Sequence, residues 1–213
     1  MATEIYQVSD FEALVEGHFD GGYAVRDLEK HGDFGLGTFN ELDGEMVVLE
    51  GRVYQASGFG DAHVPGRDAH TPFAFVTQFR PEKSLSLTGP LSPTELQAIV
   101  DGFYPEGILA IHVRGSFPVL DARSFDPEQK PYHPLAEISE HQHRFSFGPV
   151  QGDLVGYRMP PSVAEHNLNV PGYHFHFVSA DRLKGGHVLG YAVESGILEV
   201  MPVERIVVYG EEK

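Results

Sequence analysis

The stretch "VPGYHFHFVSADRLKGGHVLG", Val170 to Gly190, carries three histidines in a spacing that can do chemistry. His174 and His176 stand two apart among aromatics, and His187 follows Gly185-Gly186. In a β-strand, residues two apart project to the same face. H-F-H therefore sets two imidazoles side by side and sends Tyr173, Phe175 and Phe177 the other way, toward a core. "VSADRLKGG" then turns. If a strand opening at His187 pairs with the first, the third imidazole comes alongside, and the glycine pair gives the backbone freedom for that approach. Three neutral imidazoles on one point, with further positions open to water or substrate, is the pattern of a catalytic zinc site. Imidazole without thiolate equally suits Fe, Co, Ni or Mn. On these residues alone a blander reading stays open, the polar face of an exposed edge strand. A cupin barrel also uses HxH on a strand, but it expects a Glu shortly after the second His, and Phe177 to Asp181 contains none.

The rest of the chain bounds what these histidines serve. Its 213 residues are 41% hydrophobic, which fits one large domain or two packed subdomains. A chain of this size hides roughly 70% of its unfolded surface, so a bound metal is expected to serve function rather than folding. The net charge of −16, from 15 basic and 31 acidic residues, argues against nucleic acid and against an anionic membrane surface. It does not forbid an anionic substrate, because a local Arg or metal can dominate a site. With no cysteine, thiolate ligands and Cys nucleophiles are excluded, and nothing points to an oxidising compartment. The acidic N-terminus "MATEIYQVSDFEALVEG" lacks a signal-peptide core and reads as mature cytoplasmic sequence. No run approaches the ~18 apolar residues of a membrane span.

The elements that must position the histidines are mostly strands. "SDFEALVEG" reads as a short helix, with Ser9 and Glu12 at capping-box spacing and Phe11, Leu14 and Val15 on one face. Met46 to Leu49 and Arg52 to Gln55 read as a hairpin turning at Glu50-Gly51, and "HTPFAFVTQF" is strongly β-prone. "SPTELQAIVDGF" is the clearest helix, with Ser92 as N-cap, Pro93 at its first position and Glu95 completing the box. "GILAIHVRGSF" reads as a strand with Ala110, His112 and Arg114 on one face. "HRFSFGPV" and "GDLVGYRMP" read as a pair, followed by "GYHFHFVSA", "HVLGYAVESGILEVMPV" and "RIVVYG". Pro127, Pro131 and Pro134 suggest a seam between sheets, giving approximate subdomains 1–125 and 126–213 within a single domain 1–213. The class expected is α+β, mainly β, with two packed mixed or antiparallel sheets and a few short helices.

At this point the residues resemble a family. "VPGYHFHFVSADRLKGGHVLGY" is similar to the signature of acetolactate decarboxylases, which convert 2-acetolactate to acetoin and CO2. "GLGTFNELDGEMVVLEGRVYQ", "DAHTPFAFVTQF", "QKPYHPLAE" and "VQGDLVGYRMP" resemble family blocks in the family's order, over roughly residues 10 to 200. The resemblance implies two mixed-sheet subdomains, a homodimer, and zinc held by His174, His176 and His187. It also implies an active-site glutamate at Glu45, an active-site arginine at Arg123, and Thr38 near the substrate pocket. The family carries a longer C-terminal tail that returns a second glutamate to the metal. Here Glu211 and Glu212 are the last acids of the sequence, and no motif identifies either as the replacement.

The chemistry explains such a set. Loss of CO2 from acetolactate leaves an electron pair on the hydroxyl-bearing carbon, which must drain onto the neighbouring ketone oxygen as an enediolate. Zinc as Lewis acid holds that charge, an arginine fork clamps the carboxylate, and a carboxyl group manages the proton. Two other functions stay open: a diverged, non-catalytic module that binds metal and a hydroxy-keto acid, and a cupin-like metal oxygenase or isomerase. Each residue also has a bland reading. Glu45 follows Asp43-Gly44 and could be a solvated turn acid; Arg123 could pair on the surface with Asp121 or Asp126; Thr38 could simply start a strand. His141 and His143 form a second HxH but read as solvent-facing. His112 reads as either a satisfied core histidine or a neighbour of the site.

Overall fold

The computed structural model describes residues 2–209. Two seven-stranded sheets dominate it. In chain order the first half contains β1 (Glu4–Val8), α1 (Phe11–Val15), β2 (Tyr23–Ala24), α2 (Val25–Leu28), β3 (Phe34–Thr38), β4 (Glu45–Leu49), β5 (Arg52–Ser57), β6 (Asp61–His63), β7 (His70–Thr71) and β8 (Ala74–Thr77). The second half contains β9 (Lys83–Leu91), α3 (Pro93–Phe103), β10 (Ile108–Phe117), β11 (Val119–Ser124), α4 (Leu135–Ile138), β12 (His143–Phe147), β13 (Val150–Met159), α5 (Ser162–Glu165), β14 (Gly172–Ser179), β15 (Gly185–Val203) and β16 (Arg205–Tyr209). The expected class holds: mainly β, with few and short helices.

The first sheet runs β16-β1-β8-β3-β4-β5-β6. It is mixed, because β1 and β16 pair in parallel. The second runs β10-β13-β14-β15-β11-β12, with β9 on β15. Its long β15 pairs first with β14 and β11, then with β9 and β10. Since β10 also pairs with β13, the strands β10, β13, β14 and β15 close on themselves. The sheets pack face to face through β13, β14 and β15 against β3, β4 and β5. Phe34, Leu36, Val47, Leu49 and Phe75 interleave there with Val155, Tyr157, Val178 and Met201. Helix α3 covers the outer face of the second sheet with Leu96 and Val100. On the first sheet's outer face, Val25 and Leu28 of α2 meet Met46, Val48 and Val76. A strand with both faces covered should be apolar throughout, and Met46 to Leu49 are all buried.

Local chemistry sets most boundaries as expected. Glu50 and Gly51 both take positive φ (54° and 73°) in the β4–β5 turn, the requirement of a two-residue type I′ hairpin. The box Ser92–Glu95 caps α3 with Pro93 at its start. Three expectations change. Asp10, not Ser9, caps α1: its carboxylate accepts from the Ala13 N–H at 2.9 Å, while Ser9 sits at φ 63° and turns its own backbone away. "HRFSF" and "GDLVGYRM" do not pair with each other. β12 pairs with β11, and β13 with β10 and β14. The chain changes sheet between Thr77 and Lys83, so the division at 125/126 does not follow the sheets. The proline-rich segment that suggested it connects β11 to β12 within the second sheet, as a loop that cannot ladder.

His112 is the satisfied core histidine of its two readings. Its Nε2 lies 2.9 Å from Asp153 and its Nδ1 3.2 Å from Glu199. Asp153 also accepts from Arg114 and Arg182. Burial raises its carboxyl, and the bonds to His112 and Arg182 overcome this, holding it below the usual 3.8. A carboxylate depressed in the folded state stabilises fully above its unfolded value, and the contribution is lost as pH falls through the lower folded value. Asp153→Asn removes the negative charge that Arg114 and Arg182 share and turns one of its two acceptor oxygens into a donor. It should cost about 3 kcal/mol at neutral pH, read as a lower thermal midpoint, with the difference from the parent shrinking below roughly pH 4.

Candidate metal and carboxylate site

The site is a row across three strands plus one residue from the facing sheet. His176 on β14 is the Cα partner of His187 on β15, and His187 is in turn the partner of Arg123 on β11. Directly paired residues present the same face, so two imidazoles and a guanidinium line up. His174 joins from two residues along β14, by the alternation read in the sequence. Phe175 and Phe177 lie on the other face, in the core under α3. Glycine is needed where β15 begins: a Cβ on Gly186 would lie 3.0 Å from the Arg123 carbonyl oxygen, and one on Gly185 2.7 Å from that of Phe177.

Glu45 comes from β4. Alternation places it with Val47 and Leu49 on the face toward the second sheet, so it points at the histidines and is buried. One carboxylate oxygen accepts from Arg123 Nη1 at 3.1 Å, and the other lies 3.3 Å from His176 Nε2. The turn before it is tied down. The Thr38 hydroxyl donates to the Gly44 carbonyl at 2.7 Å, Gln55 donates to Asp43, and Gly44 takes φ 80° in front of the Ala56 carbonyl. Thr38 does line the cavity, but its proton is committed to this turn.

Three imidazole nitrogens converge. His174 Nε2 lies 3.1 Å from His187 Nδ1, which lies 3.3 Å from His176 Nε2. All three ligand atoms fall within 4.8 Å of one another. His176 Nδ1 lies 2.7 Å from the Met46 carbonyl oxygen. A carbonyl only accepts, so Nδ1 carries the proton and Nε2 presents a lone pair to the centre. Burial disfavours the charged imidazolium: it pushes His176 down to about 3, against the Met46 hydrogen bond, with Arg123 adding to the fall. Burial likewise lowers His174 and His187 well below the usual range, and neighbouring charges lower them further. The nitrogens therefore meet as neutral donors. Burial pushes Glu45 up to about 7, with Arg123 opposing it.

These groups line one wall of a cavity of about 280 Å³. The opposite wall is apolar, with Phe11 and Leu14 of α1, Leu135 of α4, Phe73 and Val170. Of the residues singled out from the sequence, His174, His176, His187, Glu45, Arg123 and Thr38 all meet here. Arg123 pairs with Glu45 rather than Asp121 or Asp126. His143 lies elsewhere, against Asp126 and the Phe59 ring, and His141 lies beside Glu128. Glu211 and Glu212 fall outside the described residues. The sequence reading missed the apolar wall and the Met46 carbonyl. The shared face of Phe11 and Leu14 was the one available signal for the wall.

A two-sheet α+β protein with a triple-histidine centre, a buried carboxylate and a guanidinium at the sheet interface defines a narrow class. The chain belongs to the alpha-acetolactate decarboxylase family, whose model matches residues 5–211, and it is an enzyme of that family. It is 38% identical over 206 residues to the alpha-acetolactate decarboxylase of Raoultella terrigena, covering 96% of this chain and 79% of that protein. It is 42% identical over 194 residues to that of Methanosarcina mazei, covering 90% and 67%. The crystal structure of acetolactate decarboxylase from Bacillus subtilis subspecies spizizenii superposes with a TM-score of 0.94 at 30% identity, over 99% of this chain and 90% of that one. No helix among the described residues is long and apolar enough to cross a membrane.

The turn before Glu45 yields a test. Thr38→Val leaves the Gly44 carbonyl without its donor and should cost about 1–3 kcal/mol, whereas Thr38→Ser keeps the hydroxyl and should recover most of it. Equal thermal midpoints for the parent and the valine variant would remove this role.

Proposed function

We propose that the chain is a metal-dependent decarboxylase that converts 2-acetolactate to acetoin and CO2. The observation that carries this is the convergence of three neutral imidazole nitrogens, 3.1 and 3.3 Å apart, beside a buried carboxyl and a guanidinium. Nitrogens this close need a ring proton or a cation between them, and a buried neutral set of three, with the His176 Nε2 lone pair turned to the centre, fits a divalent ion held by His174, His176 and His187. The all-nitrogen set suits zinc and tolerates other divalent transition metals. Relatives named for the activity support the choice of substrate.

When bound, the ion supplies a Lewis acid that polarises the ketone oxygen. The chain's own side chains account for the rest. Arg123 gives Nη1 to Glu45, and a guanidinium has further donors to hold a carboxylate in fixed orientation. As the bond to the carboxylate carbon breaks, CO2 leaves and the electron pair drains toward the ketone oxygen, giving an enediolate. Glu45, with its carboxyl held near neutrality by burial, delivers one proton to the carbon that lost CO2 and regains one from water. The apolar wall takes the two methyl groups and keeps bulk water from the developing charge.

Two variants test the assignment. His176→Ala should lose metal and CO2 release together. Glu45→Gln should retain metal by elemental analysis yet lose about 10²-fold or more in kcat. A His176→Ala protein with full activity would overturn the metal assignment. A metal-loaded parent that forms no acetoin would instead identify a module that holds the ligand without turning it over.

A further inference from the structure

A second cavity, of about 330 Å³, opens beside the first and is lined by Val15, Arg123, Phe125, Leu135, Ser139 and Gln142. Arg123, Phe125 and Leu135 line both cavities, so these three side chains are the partition between them. On α1, Leu14 faces the inner cavity and its neighbour Val15 the outer one. On α4, Leu135 is half-buried at the boundary.

The electrostatics of this outer cavity favour an anion. Among the described residues, Arg123 is the one charged residue lining it, on a chain of net charge −16. A local cation on an acidic surface focuses the field where an anion must arrive. The guanidinium sits 5.1 Å over the Phe125 ring, and its side chain is 22% exposed. Nη1 is given to Glu45, and the guanidinium makes no other hydrogen bond among the described residues, which leaves donors for an arriving carboxylate.

Another cavity touches the inner one, across Tyr173, and it is built against anions. Among the described residues, Asp101 and Glu106 line it with a single cation, Arg158. That guanidinium is already spent on Asp101 and on the Tyr104 and Gly107 carbonyls. The Tyr173 hydroxyl is also tied to Asp101, at 2.5 Å.

We infer that the outer cavity is an entry subsite for small 2-hydroxy-3-keto carboxylates, with Leu135 the partition they pass on the way to the histidines. The substrate class rests on the function proposed above. A carboxylate docked outside meets the same guanidinium that holds it inside, so it moves around Leu135 without leaving its counter-charge. Arg123 thus serves capture as well as orientation, and Leu135 is a positioning residue for access.

The test uses the zinc-loaded full chain and two readouts. One is the rate at which pyridine-2,6-dicarboxylate, a small anionic chelator, strips metal from resting enzyme; the other is kcat and kcat/KM for 2-acetolactate. Leu135→Trp should slow stripping and lower kcat/KM by about tenfold while metal content is unchanged, and Leu135→Ala should speed stripping. Gln142→Trp fills the same cavity from its rim, and should slow stripping even if Leu135→Trp does not fold. Ser162→Trp, at an exposed position in the cavity across Tyr173, should change neither readout by more than about twofold. Stripping that is unchanged in both vestibule variants, or slowed by Ser162→Trp, would place the entrance elsewhere. Failure of the parent to release CO2 would sink the proposed reaction, while the stripping rates would still judge the entrance.

Discussion

The site depends on one register. His176, His187 and Arg123 stand in a row because the register of β14, β15 and β11 matches His176 to His187 and His187 to Arg123. A slip of one residue in either pairing would send a whole strand's side chains to the opposite face. It would also bury a charged guanidinium in the apolar layer under α3. Register is therefore held by the hydrophobic segregation of the two faces, with Phe175 and Phe177 on one side and the histidines on the other. Gly185 and Gly186 allow it, since any Cβ there would meet the neighbouring strands.

The second constraint is the facing sheet. β4 lies on β14 and β15, and the same alternation that packs Val47 and Leu49 into the intersheet core aims Glu45 at the imidazoles. The Met46 carbonyl then sets the tautomer of His176. One strand end thus contributes a carboxyl group through a side chain and an orienting acceptor through its backbone. The strained turn before it, with positive φ at Glu41, Leu42 and Gly44, holds that strand end in place. Backbone strain of this kind persists only where surrounding bonds over-determine it. Here the Thr38 hydroxyl and the Gln55 amide supply those bonds.

Much of this was legible in the sequence, for physical reasons that differ from residue to residue. Strand alternation is a local property, so the shared face of His174 and His176, and the core face of Phe175 and Phe177, followed from spacing alone. Turn and cap chemistry is local too, which is why Glu50-Gly51 and Ser92–Glu95 read correctly. Ser9 misled because two adjacent residues could each cap α1, and only the backbone angle chooses between them. Register is not local. Nothing in "LDARSFDPE" says that Arg123 lies beside His187, and nothing in "LDGEMVV" says that its acid is buried. Those two positions entered through resemblance to a family. The pairing of β1 with β16, from opposite ends of the described chain, was illegible for the same reason, as was the true change of sheet after Thr77.

The burial that makes the site also explains its charge pattern. An isolated ionised carboxylate is costly to bury, and Glu45 is buried with a single cation, Arg123, against it. Three imidazoles beside that cation cannot all be protonated, and burial lowers each of them. Burial, with Arg123 adding to the fall at the imidazoles and opposing the rise at Glu45, leaves neutral donors and a carboxyl raised to about 7. An exposed cluster of the same residues would be charged, hydrated and weakly coupled. The apolar wall from α1, α4, Phe73 and Val170 is therefore part of the electrostatics: by excluding water it sets the protonation states that the polar wall presents to a ligand.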